Sequence, residues 1–188
     1  MTDSLDLNSA VSISHEDTYR KSSFYEQLVE HVFISEVLQE VYFRYKKTVE
    51  VLRSEVDASG YDVVLECNGI LRHVQLKTSG EKAKTASQKI NVALATKPSG
   101  CVIWIQRQEV NNRMQLKYLF FGADAGQPLL LHEKLKVGKH TKGNKDGVKA
   151  ERQSIRVIPK ARFDRIDTTT ELVAKLFNLK TNSEEVTA

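Results

Sequence analysis

The chain has 188 residues, of which 40% are hydrophobic and 7% aromatic, and carries a net charge of +4. That suffices for one sizeable core and excludes fibrous and low-complexity proteins. No run of about 18 apolar residues would span a membrane, and the polar, acidic start Met1-Thr2-Asp3-Ser4-Leu5-Asp6 is not a secretory signal, so a cytoplasmic protein is expected.

In chain order, residues 1–17 lack hydrophobic periodicity and read as a flexible N-terminal arm; 18–180 form a single domain, and 181–188 a flexible tail. A long helix is predicted over 18–45. Its apolar positions, among them Phe24, Leu28, Val29, Phe33, Val37, Val41 and Tyr42, spread around most of the helical wheel, so a largely buried helix is expected. On that wheel Glu30 falls between Val37 and Val41, where a carboxylate is costly unless it is paired or binds a cation. Residues 48–54 read as a strand leading into a hairpin. Further on, Ala83, Ala86, Ile90, Ala93 and Leu94 recur at helical spacing and predict a second helix, which Pro98-Ser99-Gly100 ends. The continuous apolar run 101–105 suits a strand covered on both faces. A second hairpin turns at Asn111-Asn112. Thr168 and Glu171 fit a capping box ahead of a short helix with Leu172, Val173, Leu176 and Phe177 at helical spacing.

The first hairpin carries the chemistry. Asn68-Gly69 favours a two-residue type I′ turn. With that register Cys67 faces Ile70 and Asp62 lies directly opposite Gln75. Strand alternation then puts Gln75 and Lys77 on one face, with opposed Cβ atoms about 4.5–5.5 Å apart. An acid, an amide oxygen and an ammonium on one patch could hold a divalent cation and activate water beside a phosphate. Periodicity alone also fits a plain solvated hairpin face.

Asp62 followed by Gln75-x-Lys77 at the end of an apolar strand, with Asp57-Ala58-Ser59-Gly60-Tyr61-Asp62 before it, resembles the PD-(D/E)xK nuclease superfamily. The match is to the variant in which Gln replaces the second acid, as in Mrr-type restriction endonucleases. Tyr61 stands where the pattern has proline. The resemblance implies an α/β fold with a restriction-endonuclease-like core, a mixed central sheet flanked by helices. It implies a metal-dependent DNA endonuclease, in restriction, defence or DNA repair, with Glu30, Asp62, Gln75 and Lys77 as catalytic residues. Mg²⁺, with Mn²⁺ as a substitute, would be held by Glu30, Asp62, Gln75 and the Leu76 carbonyl. Glu26 and then Glu36 are the alternates to Glu30. A homodimer is implied only by analogy with members that cut both strands.

Charge adds a partner. Eleven basic residues stand against three acidic ones over 134–165, a net +8 that leaves the rest of the chain net acidic. Lys134, Lys136, Lys139, Lys142, Lys145, Lys149, Arg152 and Arg156 form a stripe expected to bind the DNA backbone. Other motifs fail. Gly138 and Gly143 have phosphate-loop spacing but lack the Lys-Ser/Thr that follows it. His15, His31, His73, His132 and His140 are scattered, without zinc spacing. Cys67 and Cys101, in apolar runs, read as buried free thiols. His73, on the Asp62 hairpin, reads as a packed or surface residue. The rival to an enzyme is a catalytically weakened nucleic-acid-binding module of the same fold.

Overall fold

The structure, a computed structural model, describes residues 22–54, 59–132, 134–143, 145 and 147–180. The arm and tail expected at 1–17 and 181–188, and Asp57-Ala58, lie outside the described residues. The fold is mixed α/β, with a mixed sheet of six strands, a second sheet of three, and two α-helices among the described residues. No helix among them is long and apolar enough to cross a membrane.

Helix α1 (Ser22–Tyr45) buries one face, with Val29, Phe33, Ile34, Val37, Val41 and Tyr45 inward. The expectation of a largely buried helix is corrected here. Phe24, Leu28, Leu38, Tyr42 and Phe43 are exposed, because the sheet covers only one side. Strands β1 (Glu50–Arg53), β2 (Val63–Cys67) and β3 (Ile70–Gly80) follow as an antiparallel meander. Asn68 and Gly69 have φ of 54° and 76°, the positive pair that a type I′ turn requires, and Cys67 pairs with Ile70 as expected.

After β3 the chain crosses over and returns as β5 (Gly100–Val110), parallel to β3, with Lys77 beside Trp104. The crossover is not the predicted helix. It is β4 (Ser87–Asn91) followed by a 3₁₀ turn, Val92–Thr96. Ala83 and Ala86, the first members of the apparent apolar stripe, are exposed and have little to bury. Ile90 and Leu94 are fully buried, and β4 takes its shape from pairing with β8 (Glu151–Pro159), which overrides local periodicity. Strand β7 (Lys136–Lys139) completes the second sheet, in the order β4-β8-β7. Strand β6 (Arg113–Gly122) pairs with β5 through the expected turn at Asn111-Asn112, and β9 (Asp164–Ile166) closes the edge, giving the order β1-β2-β3-β5-β6-β9.

Helix α2 (Thr169–Phe177) begins where the Thr168 hydroxyl accepts the Glu171 N–H at 3.1 Å. Glu171 completes the box one residue further back than expected, on the N–H of Asp167. The six-stranded sheet is covered on both faces. Cys101, Ile103 and Ile105 pack with α1 and α2, whereas Val102 and Trp104 pack toward the second sheet. This explains why 101–105 is apolar without alternation. Both cysteines are free and buried, and burial pushes the Cys101 thiol up to about 12.

Candidate active site

A cleft of about 500 Å³ opens between α1, the Asp62 end of β2, β3 and the edge of the second sheet. Glu26 and Glu30 come from α1, Asp62 from the loop entering β2, Leu76 and Lys77 from β3, and Gln88 from β4. Three of the four residues expected to be catalytic therefore meet: Glu30, Asp62 and Lys77.

Asp62 is set by backbone and side chain together. Its N–H donates to the Val74 carbonyl at 2.9 Å, one residue short of the expected register, so the ladder ends at Val63–Val74 and Asp62 is not paired directly opposite Gln75 as the turn alone implied. Its carboxylate accepts the N–H of Leu76 at 2.6 Å. A charge-assisted bond of that length holds the carboxylate across the hairpin, against β3. Glu30 reaches the cleft from α1 and pairs with Arg53 of β1 at 2.8 Å, the arginine half-exposed. Glu26, one turn earlier, lines the same cleft and is exposed. Glu36 is elsewhere. It accepts from the Tyr118 and Thr169 hydroxyls, tying α1 to β6 and α2, and burial together with Glu36 raises the Tyr118 hydroxyl above its usual range.

Gln75 is not among the residues that line the cleft. It shares a face with Lys77, but at its level that face is covered by β4. Only 6% exposed, it accepts the Asn91 N–H through its side-chain oxygen at 3.4 Å. Asn91 is fixed from two further directions. Its side-chain oxygen caps the 3₁₀ turn by accepting from Ala93 at 3.0 Å, and a Cβ on Gly60 would lie 2.7 Å from its Cβ. Gly60 has φ of +74°, so both its backbone and its surroundings require glycine. Lys77, two residues beyond Gln75, emerges into the cleft. His73 is a packed residue: its Nδ1 lies 2.8 Å from the Pro98 carbonyl oxygen and its ring stands edge-on to Tyr61.

The basic stripe divides. Lys134, Lys136, Lys139, Lys142, Lys145, Lys149 and Arg152 are exposed on or beside the second sheet. Arg156 is half-buried and donates to the carbonyls of Gln153 and Ile155, so its charge is spent on its own strand. Arg165 lies on β9 of the first sheet, paired with Asp167. Strand β4 borders both regions: its Gln88 lines the cleft and its Lys89 donates to the Lys139 carbonyl at 2.9 Å.

Among the described residues no group of three or more His, Cys, Asp and Glu side chains is arranged to hold a metal ion. Glu30 and Asp62 nonetheless put two carboxylates along one cleft, with Leu76 beside them. Magnesium is commonly held by one or two carboxylates with water filling the remaining positions, so the donor chemistry fits. Sequence reasoning missed Arg53 and Gln88. Neither had a local signal, since their positions depend on the β1–β2 and β4–β8 pairings. No protein-family model, curated protein or solved structure matches the chain.

Proposed function

We propose that this protein is a metal-dependent DNA nuclease of PD-(D/E)xK type, hydrolysing phosphodiester bonds in the cleft shared by Glu30, Asp62 and Lys77. The observation that carries the reading is that Glu30, from α1, lines one cleft with Asp62 and Lys77 of the first hairpin. The element order supports a restriction-endonuclease-like core: a helix, a three-stranded meander, a crossover, then a strand parallel to the third.

In this reading Asp62 and Glu30, with the Leu76 carbonyl, would hold Mg²⁺, or Mn²⁺ in its place. When bound, the ion supplies Lewis-acid charge at the phosphate and acidifies a water. Asp62 is pre-oriented by its bond to Leu76. The Lys77 ammonium orients the attacking water and offsets charge that develops on the phosphate oxygens in the transition state. Gln75 acts as a strut that seats β4 beside β3. Exposed lysines of the second sheet hold the DNA backbone without reading sequence. Incubating the purified protein with linear, nicked, branched and single-stranded DNA, with Mg²⁺, Mn²⁺ or chelator, tests the proposal: metal-dependent products are expected, and no cleavage of any form would refute it.

One observation favours a second reading, a nucleic-acid-binding module with a weakened centre. Arg53 occupies Glu30, so a cation must compete with a guanidinium for that carboxylate. This reading expects DNA binding that is indifferent to metal.

A further inference from the structure

We infer that Gln88 is a substrate-positioning residue, an amide on the second sheet that contacts the DNA phosphate adjoining the one Lys77 faces. The inference rests on the nuclease reading and extends it to a residue outside the Asp62–Lys77 hairpin.

Strand alternation puts Gln88 and Ile90 on the same face of β4. Ile90 is fully buried in the layer that contains Val102 and Trp104, and Trp104 is the register partner of Lys77. Continuing outward along that row, Gln88 leaves the core and enters the cleft at the side of Lys77. It is half-buried, and neither its amide nor the Lys77 ammonium makes a side-chain hydrogen bond to any described residue. Its strand is anchored by pairing with β8 along its length and, at Asn91, by the cap on the 3₁₀ turn and a longer contact to Gln75. A neutral amide with two N–H donors suits a non-bridging phosphate oxygen. It adds directionality without the charge that Lys77 already supplies. The flanking Lys89 faces the opposite way, toward the exposed lysines, so one strand joins the backbone-binding surface to the cleft.

The test replaces Gln88 with the photo-cross-linking residue p-benzoylphenylalanine in the full chain. A second protein carries it at Phe43, exposed on α1. Both are irradiated with bound duplex DNA in chelator. DNA should cross-link through position 88 and not through position 43. In parallel, Gln88→Ala should raise KM for DNA roughly ten-fold, one hydrogen bond to a charged group, with a smaller change in kcat, and Gln88→Asn should recover part of it. DNA binding without cross-linking at 88 overturns this inference alone. Absence of DNA binding by the unsubstituted protein overturns the nuclease reading and this inference together. An unchanged KM in a folded Gln88→Ala protein also overturns the inference.

Discussion

The guanidinium of Arg53 stands 2.8 Å from the carboxylate of Glu30, beside the cleft that Asp62 and Lys77 share. The pair is partly solvated, with the arginine side chain 51% exposed, so its contribution to stability is about 0–1 kcal/mol. Its larger effect is on the cation that Glu30 is proposed to bind. Arg53→Gln should leave the melting temperature nearly unchanged and lower the Mg²⁺ concentration needed for half-maximal cleavage. A magnesium titration checks this, and an unchanged or raised requirement would remove Glu30 from the site.

Gln75 carries the opposite expectation. Its side-chain oxygen is engaged by Asn91 and the residue is buried, so Gln75→Glu places a carboxylate where desolvation penalises its charge. Thermal melts of this variant should show lower stability than wild type, by the same amount in Mg²⁺ and in chelator. Recovery in Mg²⁺ alone would show that Gln75 is a metal ligand.

Gly60 presses on the same Asn91. Gly60→Ala would force a left-handed backbone on alanine, at about 1–2 kcal/mol, and drive its Cβ to 2.7 Å from that of Asn91. At roughly 2–4 °C per kcal/mol for a chain of this size, the melting temperature should fall by several degrees. Cleavage should fall further than folding, because β4 and Gln88 move with Asn91. A variant that melts and cuts like wild type would show that this loop does not brace the cleft.

The lysines of the second sheet should act through phosphate charge. Neutralising Lys139, Lys142 and Lys145 together should weaken binding to unrelated DNA sequences alike. It should also flatten the plot of log affinity against log salt by about 0.9 per lost contact. Binding isotherms over a salt series measure the slope. An unchanged slope would place the DNA on another face.

What the sequence made legible follows from how local each determinant is. Asn68-Gly69 and Asn111-Asn112 adopt positive φ, so both hairpin turns and the pairing of Cys67 with Ile70 could be read directly, whereas the departure from that register at Asp62 could not. Glu30 was legible because a carboxylate amid Ile34, Val37 and Val41 has to be paired, and it is. The segment 83–94 was misread because Ile90 and Leu94 are buried equally well by a helix or by a strand followed by a 3₁₀ turn. The choice is made by β8, far along the chain. The same dependence hid Gln88. It also separated Gln75 from Lys77, since alternation assigns a face but does not say where along it a second sheet ends.

Cleavage of DNA by wild type and by Lys77→Ala, purified identically and assayed with Mg²⁺ and with chelator, decides whether the cleft is a metal-dependent nuclease centre. Lys77 is half-buried at the cleft and makes no side-chain hydrogen bond to any described residue, so its removal should leave folding and DNA binding nearly intact. Wild type should cut only with the metal, and Lys77→Ala should lose turnover by at least about 100-fold, the scale for losing one group that stabilises transition-state charge. Equal cleavage by the two proteins, or cleavage by wild type in chelator, would rule out metal-dependent hydrolysis assisted by Lys77.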